Sequence, residues 1–449
     1  MIDRIYALRK SLHNYANGGY VLIAVTVLAM VIANSPLQTL YFSWWERPVL
    51  LQIGDFNLFE HHGHAMSLMQ VINDALMAIF FFSVGLEIKR EVLVGELSSL
   101  RKALLPVIAA VGGIVLPITI YRLLSSDAAI LQGSAIPMAT DIAFSLGILS
   151  MFGKRVPIGL KIFLATLAIA DDIGGILVIA LFYTEQLSIL WLVYSALVLG
   201  VLLLGSRLHI HSKLFYVVGG VTVWYFFLHS GIHPTIAGVL VAFCVPAHPV
   251  MDTRRFIDEI CEAVRDFPQM KQIKRGETYI LSPEQLNALK SVESASDKVI
   301  SPLQDLEDTL HPLINYLIIP LFAFANAGIS LSDITFLSLF QGISLSIWVA
   351  LVAGKFIGIM LFSYLPVVFG WAKKPDVVTW PMIAGVSALG GIGFTVSLFI
   401  ANLSFPLDSA TNVLLLNQAK LGILVGSLLS GVIGYFILSS TLPKKPVNE

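Results

Sequence analysis

Six ionisable side chains stand inside stretches that are otherwise apolar: Asp74, Asp141, Asp171, Asp172, Lys355 and Lys420, with Glu87 and Glu91 near the end of one such stretch. A charged group at the centre of a bilayer costs at least ~2.5–3.5 kcal/mol on insertion scales, so each needs a partner or a task. Asp171 and Asp172 lie in VPIGLKIFLATLAIADDIGGILVIALFY. If that segment is one helix, the pair sits about 20 Å from Ile158, near mid-membrane. Neighbours on a helix point ~100° apart, so the two carboxylates cannot grip one ligand side by side. One can face an aqueous cavity while the other faces a neighbouring helix. Lys355, in SIWVALVAGKFIGIMLF, stands at comparable depth. It calls for an ion pair with Asp171 or Asp172; the alternative is a lysine snorkelling to the interface.

Asp141 follows Pro137-Met138-Ala139-Thr140. Proline removes an amide donor and disfavours helix before it, so a break at membrane depth is expected there. Gly390-Gly391-Ile392-Gly393 marks a second interruption. Irregular backbone at this depth is tolerated only where it is buried in protein or lines a cavity. Opposed half-helices favour an anion at their N-termini and a cation at their C-termini, the signs of Asp141 and Lys355. A glycine cluster alone more often means close packing; it is the pairing of two breaks that points to function. Lys420 is read as packing or dipole compensation, and Asp74 with Asn73 as an interhelical hydrogen bond.

These carboxylates, a threonine hydroxyl and freed carbonyls are oxygen donors of the kind a hard cation takes. A carboxylate holds a proton or a metal cation, not both with useful affinity. A site that changes sides only when loaded with one or the other exchanges them. No GxxxxGK[ST] is present, so no nucleotide is expected to drive the process.

The surrounding elements are spans. Of 449 residues only 13% are charged and 56% are hydrophobic, with a mean hydropathy of +0.82. A soluble domain runs near 25% charged. A net charge of −1 excludes the basic footprint of a nucleic-acid binder, and two cysteines, Cys244 and Cys261, make no disulfide framework. Twelve segments can cross the ~30 Å of hydrocarbon: 15–33, 67–90, 103–123, 132–150, 158–183, 188–206, 213–229, 231–247, 312–329, 339–364, 377–401 and 411–438. The expected fold is an all-α polytopic membrane protein, residues 1–449 forming one transporter domain, with helices 4 and 11 broken. Met1–Gly18 is polar, with Arg4, Arg9 and Lys10 and no A-x-A site, so the first helix is expected to be an uncleaved anchor. With the N-terminus inside, the short inner loops and ends hold sixteen Lys and Arg against two outside, Arg47 and Arg122. That places both termini in the cytoplasm.

Residues 34–66 then form an outer, periplasmic loop, with a hairpin suggested around Gly54-Asp55. Its Glu60-His61-His62-Gly63-His64 lacks HExxH spacing and is read as solvated loop rather than metal site. Residues 250–311 form an extended cytoplasmic loop. Ser282-Pro283-Glu284-Gln285 and Ser301-Pro302-Leu303-Gln304 read as capping boxes opening short amphipathic helices on the cytoplasmic face.

The chain resembles the NhaA-type sodium/proton antiporters. The resemblance rests on INDALMAIFFFSVGLEIKRE, AIPMATDIAFSLGIL, LATLAIADDIGGILVIALFYT, SGIHPTIAGV, LHPLINYLIIPLFAFANAGISL, GKFIGI, GIGFTVSLFIA and AKLGILVGS, in order along the chain. Helices 3–5 and 10–12 each place a broken helix second but start on opposite sides; such an inverted repeat is a feature for which this same family is a type example. The resemblance implies that Asp172 and Asp171 bind cation and proton, that Thr140 and Asp141 belong to the broken fourth helix, and that Lys355 partners Asp171. It implies a pH-sensing set of Glu87, Glu91 and Glu307 at the cytoplasmic funnel, with His233 at the outer end of helix eight and Asp308 standing where the family has a histidine. Electrogenic Na+/H+ exchange, Li+ as a further substrate, a homodimer formed through the outer loop, and a bacterial inner membrane are also implied; a cofactor is not. Two other classes fit less well. An intramembrane aspartyl protease wants Gly-x-Gly-Asp, whereas here Ala170 precedes Asp171, and a lysine would hold one acid charged when a shared proton is needed. A passive channel offers rings of ligands repeated by symmetry, unlike one asymmetric site.

Overall fold

With no water in the bilayer core, an apolar chain must satisfy its backbone internally, and runs without interruption do so as helices. The structure is a computed structural model that describes residues 18–444 except 55, 62, 126, 185–186, 266–280, 331–335, 376 and 408. Arg4, Arg9, Lys10, Asp55, His62, the middle of the 250–311 loop and Lys445 lie outside the described residues. Among the described residues seven helices are each long and apolar enough to cross a membrane: Leu68–Leu93, Leu100–Leu124, Ile158–Phe182, Ile189–Arg207, Pro302–Asn326, Gly342–Val368 and Ala410–Thr441. Lys213–Leu228 and Thr235–Cys244 are shorter apolar helices. The chain is a mainly helical, multi-pass membrane protein.

Three further apolar helices are bent pairs. Ala128–Met138 and Ile142–Ser150 meet at 42°, and Trp380–Leu389 and Phe394–Ser404 at 43°. These are the two breaks that Pro137 and the Gly390–Gly393 cluster foretell. The third pair is Gly18–Ala33 followed by Gln38–Trp45 at 114°, a helix within the outer loop that the sequence reading leaves out. Beyond it, Gln52–Ile53 pairs antiparallel with Phe56–Asn57, and Glu60–His61 with His64–Ala65.

The polar insert departs from expectation at its second half. Ser282 does cap Pro283–Val299 reciprocally with Gln285. Ser301 accepts the Gln304 N–H, but Pro302 opens no separate surface helix: the same helix runs on through Pro312 to Asn326. The apolar residues after Leu313 bury against the core and carry the helix on. The helix holding Lys355 is also less regular than its sequence suggests, with a widened π turn at Ala350–Gly354. Gly112 and Gly358 bring it backbone to backbone against Leu100–Leu124, an approach that a Cβ on either would block.

Candidate functional site

The two broken helices cross, and their side chains satisfy each other's ends. The Asp141 N–H donates to Ile392 C=O at 2.6 Å, the Thr140 hydroxyl to Gly390 C=O at 2.8 Å, and the Ser145 hydroxyl to Leu389 C=O at 3.0 Å. In return the Ser397 hydroxyl donates to Ile136 C=O at 2.8 Å. A helix end buried without partners is costly, and here each break supplies the other's.

Asp141 serves two N-termini at once. Its Oδ1 accepts the Phe144 N–H at 3.1 Å, capping Ile142–Ser150. Its Oδ2 accepts the Thr395 N–H at 3.1 Å and the Thr395 hydroxyl at 2.6 Å, at the start of Phe394–Ser404. An anion at two dipole-positive ends is favourable on both counts.

Asp171 and Asp172 point to different surroundings. Lys355, fully buried, donates from Nζ to Asp171 Oδ2 at 2.5 Å and to the Thr140 hydroxyl at 3.0 Å. Of the two pairings open to the sequence, the structure has the one with Asp171. Lys355 does not cap a half-helix C-terminus directly; it reaches the end of Trp380–Leu389 through Thr140, because the nearer carboxylate takes its charge. Asp171 Oδ1 is buried with no hydrogen-bond partner among the described residues. Asp172 instead lines a cavity of about 500 Å³ together with Thr140, Asp141 and Thr395.

The same cavity is lined by Glu87, Arg90, Glu307 and His311. Arg90 donates to Glu307 at 2.6 Å and to Glu91 at 3.3 Å, its own side chain 37% exposed, so this is the cavity's outer end. Five of the expected residues, Thr140, Asp141, Asp171, Asp172 and Lys355, thus come together, and Glu87 and Glu307 line the cavity with Thr140, Asp141 and Asp172. Glu91 stands beside it, reached through Arg90. His233 does not join them: its Nε2 lies 3.6 Å from Asp74 and its ring packs on Phe399. Asn73 accepts an interhelical bond from Asn326 at 2.9 Å, and Asp74 accepts one at its backbone C=O from the Trp224 indole N–H at 3.3 Å. Lys420 is buried and forms no ion pair among the described residues. Sequence reasoning missed Thr395 and Arg90. A hydroxyl two residues after the Gly393 break was the available signal for the first; for the second there was only a basic residue between two acids.

Two crossed breaks thus meet beside a cavity that Asp141, Asp172 and Thr395 line together with Glu87, Arg90 and Glu307. The family model described as Na+/H+ antiporter 1 matches residues 9–438. The chain belongs to that antiporter family. It is similar to the Na(+)/H(+) antiporter NhaA of Phocaeicola vulgatus, 53% identical over 448 residues, which cover 99% of this chain and 98% of that protein. It is similar also to the NhaA proteins of Parabacteroides distasonis, 48% identical over the whole of both chains, and of Wolinella succinogenes, 41% identical over 96% of this chain and 92% of that one. Proteins of the Na+/H+ antiporter 1 family are transporters, not enzymes, and the breaks, the acids and the lysine of this chain all fall within the matched span.

Proposed function

We propose that the protein exchanges Na+, and also Li+, for H+ by alternating access, with Asp172 as the carboxylate for which the two ions compete. One observation carries this reading. Asp171 is already committed to Lys355, whereas Asp172, one residue on, opens to the cavity beside the oxygens of Asp141, Thr140 and Thr395. A hard cation prefers such oxygen donors, and a proton on Asp172 removes its charge. Mutual exclusion at a site that reorients only when loaded gives exchange without any nucleotide. Asp171 and Lys355 hold the site's second proton-sensitive pair, and the exchange is electrogenic.

The reading includes an orientation. The excess of Lys and Arg at one set of ends puts both termini and the mouth beside Arg90 and Glu307 on the cytoplasmic side of a bacterial inner membrane. The seven long helices, three bent pairs and two short helices are then twelve spans, with helices 3–5 and 10–12 as an inverted repeat. Residues 34–66 provide the contact of a homodimer. Glu87, Glu91 and Glu307 around Arg90, with His233 apart from them, adjust activity to pH.

Everted membrane vesicles test the core of this reading. Asp172→Asn abolishes sodium-dependent collapse of an imposed pH gradient while the protein still accumulates folded; activity like the parent's would refute the assignment.

A further inference from the structure

Leaving aside the connector 94–99, the hydrogen bonds between described residues divide the molecule into two bodies, residues 18–93 with 187–330, and residues 100–184 with 336–444. Within the first run Tyr41 to Phe324, Lys89 to Phe243, Arg90 to Glu307 and Trp224 to Asp74. Within the second run Ser125 to Ser346, Thr140 to Gly390, Tyr183 to Ser404 and Lys355 to Asp171. Among the described residues one hydrogen bond crosses between the bodies: Asn402 Nδ2 donates to Asn326 Oδ1 at 2.9 Å. Among the described residues the ring contacts that cross all belong to Phe399, whose centroid lies 5.3 Å from His233, 5.6 Å from Phe81 and 6.5 Å from Phe322.

The cavity lies on this seam, with Val84, Glu87 and Glu307 on one wall and Thr140, Asp172 and Thr395 on the other. Along Phe394–Ser404 the seam then closes. Thr395 is at the cavity, Phe399 is one turn further, and Asn402 is two turns on, about 10 Å from Thr395. At that level Asn326 is fully buried and its amide is spent. It donates to Asn73 Oδ1 at 2.9 Å and to Phe322 C=O at 3.0 Å while accepting from Asn402. Asn402 gives its other hydrogen to Leu398 C=O at 2.8 Å. Parting the bodies here strips a buried carbonyl of its donor, a cost that parting them at the cavity end does not carry.

We propose that Asn402, through its bond to Asn326, is the positioning residue that keeps the seam shut between Asp172 and the face opposite the cavity, and that this bond breaks when a bound ion is delivered to that face. The inference rests on the exchange reading above, and its test is separable from it.

Ile236 reports on the seam, since it lines a small void there with Phe81, Ile176 and Ile179. Ile236→Cys is placed in a chain carrying Cys244→Ser and Cys261→Ser and labelled with a membrane-impermeant methanethiosulfonate from the face opposite the cavity, at fixed pH and sodium. Asn402→Ala raises the labelling rate tenfold or more, Asn326→Ser does likewise, and the double variant labels no faster than either. Where Asn402→Ala does not accumulate, Asn402→Ser gives the same increase. An unchanged rate in a variant that melts like its parent overturns the latch, as does a double variant whose effects multiply. If the parent labels as expected but exchanges no sodium for protons, the proposed function falls and the latch stands.

Discussion

Asp141 and Thr395 are joined twice, through the threonine's hydroxyl at 2.6 Å and its backbone N–H at 3.1 Å, so one carboxylate fastens the second half of one broken helix to the second half of the other. Neither half-helix can turn without losing this bond, which holds the end of the cavity beside Asp141 and Thr395 in place.

The two partners of that bond differ in weight. Asp141→Ala removes the cap of Ile142–Ser150 and the anchor of Phe394–Ser404 together, and an N-cap alone is worth ~0.5–2 kcal/mol. Thr395→Val keeps the backbone bond and loses one side-chain hydrogen bond, about 1 kcal/mol. Thermal melting in detergent should rank Asp141→Ala as the more destabilised; the reverse order would mean that Asp141 is not the common anchor.

Lys355 and Asp171 form a fully buried pair. Removing one member of such a pair typically costs about 3–5 kcal/mol, because the other charge is left alone, whereas replacing both by neutral groups of similar size costs far less. Lys355→Met is expected to melt well below the parent, and Lys355→Met with Asp171→Asn to recover most of the loss. Additive losses in the double variant would show that the two do not act as a pair.

Sodium binding should weaken as pH falls. If H+ and Na+ compete for Asp172, each competing proton raises the apparent Kd for sodium by up to about tenfold per pH unit once the carboxyl is mostly protonated. Calorimetric titrations of the purified protein at several pH values measure this, and a Kd independent of pH would remove the mechanism of exchange.

Gly391 tests the crossing itself. A Cβ there would stand 2.5 Å from Leu351 C=O and press on Ser430. Backbone cannot move aside cheaply, so Gly391→Ala should cost on the order of 1–3 kcal/mol, as overpacked sites do. A melting temperature equal to the parent's would show that the break has room to relax.

The sequence by itself determined the class of the protein, where most of its spans fall, where two of them break, and which buried charges had to matter. Those properties are local: apolar length, a proline, a glycine cluster, and the cost of a charge in oil, each legible in a window of about twenty residues. It also determined that Lys355 needed an acid. Which acid, and therefore which of Asp171 and Asp172 is left facing the cavity, spacing and depth did not decide, since neighbours ~100° apart on one helix are equivalent until other helices surround them; the resemblance implied Asp171, and the tertiary structure has that pair. The same holds for Thr395, which becomes part of the site only because two chain segments some 250 residues apart cross there. The continuation of the helix at Pro302 was hidden for a related reason: the capping signal is local, but whether the helix stops or runs on depends on the core that buries its far end.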